Sequence, residues 1–236
     1  QPATGSVTTF DALIVGAGSG LSASVARLFA REGMAVALAS RSPDRLDDLV
    51  AETGARAYPC DVADPASVEG LFAAVDSDLG EPEVVVFNPS ARVRGPVQDL
   101  DPAAVRDALM VAPYGGFLVA QQAVRRMLPK GRGTILVTGA SASVKGYANS
   151  SCFAMGKFGL RGLCQSLARE LQPQGIHVAH FVIDGGIAGP RYASGSRGPD
   201  ALLEPDAIAE SYLHVLRQHR SAWTWEIELR PWVENF

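Results

Sequence analysis

The chain has 236 residues, 47% of them hydrophobic, enough for one well-buried domain of α/β size. A net charge of −4 without a basic block argues against a nucleic-acid surface, and no apolar run reads as a bilayer span or a secretory leader. Three scattered cysteines, Cys60, Cys152 and Cys164, supply neither a disulfide framework nor a zinc site. The expectation is a cytoplasmic protein with no metal, no nucleic-acid partner and no membrane partner. Residues 1–9 read as a flexible tail ahead of a single domain over 10–236.

In chain order, residues 12–15 form a short apolar run suited to a buried parallel strand. The run turns on Gly16, Gly18 and Gly20 and re-emerges as a helical pattern with Leu21, Val25, Leu28 and Phe29 on one face. Strand, glycine turn and helix in that order mark a dinucleotide site. Glycines admit a pyrophosphate close to the backbone, and unpaired N–H groups at the helix start bind its oxygens. Gly16, Gly18, Ser19, Gly20 and Leu21 are therefore predicted cofactor contacts.

Residues 34–39 make a second strand, and Pro43 opens the next helix through Leu46, Leu49 and Val50. Residues 55–60 are a third strand, followed by a helix that Asp64-Pro65 starts. Residues 83–87 are a fourth strand, continuous and apolar. A helical stretch over 102–127 follows, which Pro113 should kink or restart. Strands over 133–138 and 175–183 flank a long helix over 150–171. A helix from 205 to about 217 precedes a last strand over 224–229. Strands separated by helices of this length imply a doubly wound, Rossmann-type α/β domain with a parallel sheet and ligands at the carboxyl ends of its strands.

Those strand ends carry the rest of the reading. After the second strand, a carboxylate would hold the adenosine ribose and repel a 2′-phosphate; Ser40 and Arg41 stand there instead. A hydroxyl and a guanidinium suit a phosphate, so NADP(H) is preferred and NAD(H) possible; the alternative is that Arg41 is a solvated charge at a helix start. Asp61 and Val62, after the third strand, offer a carboxylate and backbone groups to an adenine edge, unless Asp61 is an ordinary turn aspartate.

The order and spacing resemble the short-chain dehydrogenase/reductase family along nearly the whole chain. Val15-Gly16-x-x-x-Gly20-Leu21-Ser22 is similar to its Thr-Gly-x-x-x-Gly-x-Gly turn. Asp61-Val62 matches its adenine-contacting pair. Phe87-Asn88-Pro89-Ser90 resembles its Asn-Asn-Ala-Gly segment, which brings in Asn88. Phe153-Ala-Met-Gly-Lys157 resembles its Tyr-x-x-x-Lys segment. In that family the Tyr moves the substrate proton, the Lys lowers its pKa and holds the nicotinamide ribose, a Ser holds the substrate oxygen and an Asn carries a water relay. The resemblance puts Phe153 at the Tyr position, Lys157 at the Lys, Ala140 at the Ser and Ala112 at the Asn. The Ser placement stays open by one residue, with Ser141 and Ser143 adjacent.

Phe keeps the ring but has no proton to give, and losing a positioned general acid costs about 10²–10⁴-fold in rate. Ser141, Ser143, Tyr147 and, behind them, Tyr114 are the replacement donors in reach; Tyr147 equally suits a packed or surface loop. Lys157 keeps a role as a ribose-holding cation, or is an exposed helix-start lysine. Cys152 should face away from the site, since adjacent helical residues point about 100° apart. After the sixth strand, Ile187 offers its backbone to the carboxamide, while Asp184 and Gly189 replace a Pro and a Thr of the family. Residues 185–205 read as a mobile lid or a surface loop, with Tyr192 and Arg197 as possible substrate contacts. His177 and His180 read as structural. The alternating terminus reads as an edge strand whose Trp223, Trp225 and Trp232 resemble interface anchors, in keeping with a homodimer or homotetramer. Two functions stay open: an NADP(H)-dependent oxidoreductase of a small organic substrate with a non-standard site, or a non-catalytic cofactor-binding protein.

Overall fold

A computed structural model of the chain describes residues 11–193 and 195–236; the tail expected over 1–9 lies outside them. Short apolar runs give β1 (Ala12–Val15), β2 (Val36–Ser40), β3 (Arg56–Pro59), β4 (Val84–Phe87), β5 (Gly133–Thr138), β6 (Ile176–Ile183) and β7 (Glu226–Leu229). All neighbours pair in parallel, in the order β3-β2-β1-β4-β5-β6-β7. The helices between them are α1 (Leu21–Arg31), α2 (Asp47–Thr53), α3 (Pro65–Leu79), α4 (Pro102–Val111), α5 (Tyr114–Met127), α6 (Ser151–Leu171) and α7 (Pro205–Leu216).

The runs are continuously apolar because both faces of the sheet are covered. Ile14, Leu38, Val86, Leu136 and Phe181 pack with α1 and α7 on one side. Leu13, Val15, Val85, Phe87, Ile135 and Val137 pack with α3, α5 and α6 on the other. Successive residues of β1 thus enter opposite layers, as the two-residue period of a strand demands. The strand order reverses between β1 and β4, which opens a crevice at their carboxyl ends.

Every expected element forms, with its ends adjusted by local chemistry. The helix that Pro43 opens begins as a 3₁₀ turn, Pro43–Leu46, before α2. Asp64 caps α3, its carboxylate accepting from Ala66 N at 3.0 Å. The 102–127 stretch divides at Ala112-Pro113 into α4 and α5, since proline has no N–H to continue the ladder. Taken together, Pro102–Lys130 is long and apolar enough by composition to cross a bilayer, against the expectation of no such run. Here it is two helices, and Leu118, Val119, Ala123 and Met127 of the second pack on the sheet.

The edge strand β7 is fastened by polar groups. Glu226 accepts two bonds from Arg161, at 2.7 and 2.9 Å, and lies 3.0 Å from His180 Nδ1. Burial raises the Glu226 carboxyl, but these bonds outweigh it and leave the group below its ordinary range. His177 Nε2 meets the Thr224 carbonyl at 2.7 Å, and its ring stacks on Trp223. Both histidines are thus structural. The terminal aromatics need a correction as interface anchors: Trp223 is occupied by His177 and donates to Gln218 O, and Trp225 lies under Arg161. Of the three, only Trp232 is exposed.

Candidate functional site

β1 stops at Val15 because Gly16 turns with φ +81°, a conformation that favours glycine. A Cβ there would lie 2.6 Å from Pro89 N, so the turn packs against the chain leaving β4. At Gly18 and Gly20 a Cβ would meet nothing within 4 Å; the turn is tight on one side and open on the other. No side chain caps α1 at Gly20, which leaves its first amides available to a ligand. Ser19 beside them is exposed, and Leu21 is buried at the edge of the cavity. Ser22 Oγ donates to the Gly16 carbonyl at 3.0 Å and accepts from Asn88 Nδ2 at 2.6 Å. Asn88 N in turn donates to Val15 O at 2.9 Å. The sequence marks Ser22 only as a departure from glycine; its hydroxyl joins the turn to the end of β4.

At the end of β2, Ser40 Oγ accepts from Ser42 N at 3.1 Å, while Arg41 is exposed and, among the described residues, unpaired. Asp61 Oδ1 accepts from Ala63 N at 3.0 Å, a turn of its own making, and Val62 is buried against Gly115.

The carboxyl ends of β4, β5 and β6 enclose a cavity of about 990 Å³. Lys157 forms its floor, buried, with Nζ donating to the Thr138 carbonyl at 3.2 Å. Burial, and then the charge of Arg92, lower its pKa to about 8; Cys164 opposes them. It is not an exposed helix-start lysine. Phe153 stands one helical turn before it, with Nζ 5.7 Å from the ring centroid. Arg92 also approaches this ring, its Cζ 4.1 Å from the same centroid. Ala140, Ser141 and Tyr147 line the cavity as well, and so do Asn88 and Ile187. The Ile187–Leu203 bridge runs through the Gly186 carbonyl and the Ala188 N–H, so the N–H and carbonyl of Ile187 take no part in it.

Two expected donors, and the residue at the Asn position, are not brought together with these groups. Ser143 is fully buried, and its Oγ accepts from Ala140 N at 3.0 Å. Tyr114 stacks on Phe117 at 6.3 Å in the layer outside the cavity. Ala112 is buried without reaching the cavity wall. Cys152 points away, as expected, and its thiol contacts the backbone of Val93. That contact, with Gly95 N donating to Asn149 O at 3.0 Å, folds the loop after β4 over α6. The loop delivers Arg92 and Arg94, which sequence reasoning missed, and Arg191 joins them from beyond β6. The available signal was two arginines spaced by one residue directly after a strand whose carboxyl end faces the crevice.

With this geometry in view, the relatives can be compared. A family model for short chain dehydrogenase matches residues 11–190. The cis-4-hydroxycyclohexanecarboxylate dehydrogenase of Sinomonas cyclohexanicum is 30% identical over 214 residues, 85% of this chain and 86% of that protein. The D-threitol dehydrogenase of Mycolicibacterium smegmatis is 29% identical over 172 residues, 71% of this chain and 66% of its own length. The crystal structure of a short-chain dehydrogenase from Rhodopseudomonas palustris superposes with a TM-score of 0.81 at 35% identity, covering 94% of this chain and 98% of that one.

Proposed function

The chain belongs to the short-chain dehydrogenase family, and on that premise we propose that it is an NADP(H)-dependent oxidoreductase of a small organic substrate, working with a non-standard site. One observation carries the reading: Lys157 is buried at the cavity floor with its ammonium held by Thr138 O, beside a glycine turn open to a ligand. Burying a cation in the absence of a carboxylate partner is costly, and a dinucleotide supplies the oxygens that offset the cost. The open faces of Gly18 and Gly20 and the uncapped start of α1 fit a pyrophosphate.

When bound, the cofactor supplies or accepts a hydride at the cavity. Gly16, Gly18, Ser19, Gly20 and Leu21 cradle the phosphates. Ser40 and Arg41 hold the 2′-phosphate, and Asp61 and Val62 the adenine. Asn88 shapes the turn through Ser22, Lys157 binds the nicotinamide ribose, and the Ile187 backbone orients the carboxamide. Phe153 keeps water off that face without offering a proton, so proton transfer falls to Ser141 or Tyr147, or the substrate needs none at the hydride step, as with an iminium carbon.

NADPH should bind more tightly than NADH, and Arg41→Ala should remove most of the difference; equal dissociation constants for the two cofactors in a fluorescence titration would refute the preference. Turnover panels of carbonyls, imines and alcohols with both cofactors test the chemistry. A second reading, a non-catalytic cofactor-binding protein, is favoured by the hydrocarbon side chains of Phe153, Ala140 and Ala112 at the three proton-handling positions. Assembly as a homodimer or homotetramer is supported by exposed Met110, Phe117, Met155 and Phe158 on α4, α5 and α6.

A further inference from the structure

Two segments far apart in sequence bring positive charge to one cavity. Arg92 and Arg94 come from the loop after β4, Arg191 and Arg197 from the chain beyond β6. With Lys157 they place five cationic side chains on the wall, against the carboxylates of Asp184 and Glu234. Asp184 is already matched, by Arg230 at 3.2 Å and Lys145 at 3.9 Å. Among the described residues none of the four arginines pairs with a carboxylate. The chain as a whole carries a net charge of −4, so the excess is local to this site.

Aromatic rings hold three of these arginines instead of acids. Arg92 lies 4.1 Å over Phe153; Arg197 and Arg191 lie 4.0 and 5.4 Å over Tyr192. A guanidinium held over a ring by cation–π attraction keeps N–H groups for a carboxylate, which it can grip through two bonds. Burial, followed by the charges of Arg191 and Arg94, pulls the Arg92 pKa down, with Tyr192 opposing; an oxyanion between the two segments relieves that repulsion.

We propose that the substrate of this site is a small organic anion, its carboxylate held between Arg92 and Arg94 on one wall and Arg191 and Arg197 on the other. The inference rests on the oxidoreductase reading for the word substrate, and on the cavity alone for the anion. A carboxylate there sits beside Phe153 and Lys157, so charge recognition orients the rest of the molecule toward the reacting end of the site. The same arginines could instead meet the pyrophosphate of the cofactor, and the experiment separates the two sources.

Isothermal titration at pH 7 would compare cyclohexanecarboxylate with its neutral counterpart cyclohexanecarboxamide, on the full chain alone and saturated with NADP⁺. The carboxylate should bind at least tenfold more tightly, in both arms. Arg92→Gln with Arg94→Gln should remove that preference while the carboxamide and NADP⁺ affinities stay within about twofold. Arg92→Lys should keep part of it, since a point charge replaces the fork. Equal binding of the two probes, or a preference intact in the double variant, overturns the proposal. So does loss of the preference under NADP⁺ together with tenfold weaker NADP⁺ binding by the double variant, which assigns the arginines to the cofactor. Failure of NADP⁺ to bind the unaltered protein would overturn the oxidoreductase reading instead, and the arm without cofactor would still decide the anion site.

Discussion

Phe153 decides what chemistry this site can run. Its ring lies near two cations, Arg92 at 4.1 Å and Lys157 at 5.7 Å, so a phenol installed there would find its ionised form favoured electrostatically. Phe153→Tyr combined with Ala140→Ser should therefore create carbonyl reduction or raise it by about 10²-fold or more, read as NADPH consumption with small ketones and aldehydes after both proteins are shown to bind cofactor. No activity in either protein, with imines included, would favour the binding-protein reading. Strong reduction by the unaltered chain that survives Tyr147→Phe and Ser141→Ala would place the proton donor elsewhere. Phe153 and Lys157 were legible in the sequence because helix register fixes them four residues apart. Arg92 was not, because its place over the ring depends on a loop folding across α6, and loops carry no periodicity.

Among the elements, the strands were the most legible, since burial on both faces writes itself as an unbroken apolar run. The polar contacts between strands were hidden, because parallel register is set by distant segments. His180 pairs with Glu226 across 46 positions of chain, and the link appears only once β6 and β7 lie side by side. Burial is the main reason the His180 pKa falls from 6.5 to about 4, with Glu226 opposing and Lys157 and Arg161 adding to the fall. The unfolded chain takes up a proton below 6.5 and the folded chain only near 4, so stability is complete above the first value and declines as pH falls toward the second. The loss attributable to this one group is about 3 kcal/mol. Urea denaturation between those limits should show a shallower pH slope for His180→Gln than for the unaltered protein; parallel slopes would show that the imidazole is not responsible.

For the whole molecule, exposed apolar side chains gather on α4, α5 and α6 and again at the C-terminal end, where Trp232, Val233 and Phe236 are exposed. Met155 and Phe158 are three residues apart on one face of α6 and both exposed, as are Met110 on α4 and Phe117 on α5, helices that pack with α6. Burying such a patch against a second copy removes apolar area from water at about 25 cal/mol per Å². Light scattering at micromolar concentration should give a dimer or tetramer mass, reduced by Met155→Glu with Phe158→Glu; a monomer mass for the unaltered chain would remove the idea. Of the C-terminal tryptophans, Trp223 and Trp225 are engaged within their own domain, whereas Trp232 is exposed.

The Ile187–Leu203 bridge, which closes the segment beyond β6 on itself, has a consequence for traffic through the site. Its two ends are stapled to each other, Ala188 N donating to Leu203 O at 2.9 Å and Leu203 N to Gly186 O at 2.8 Å, so the loop is closed at its base beside Ile187. Tyr192 and the two arginines over its ring belong to that loop, whereas Lys157 and the glycine turn belong to the helices and strands of the sheet edge. On the proposed function, a small acid would meet this loop and the dinucleotide the sheet edge, so a change within the loop should alter the traffic of the acid and leave that of the dinucleotide as it was.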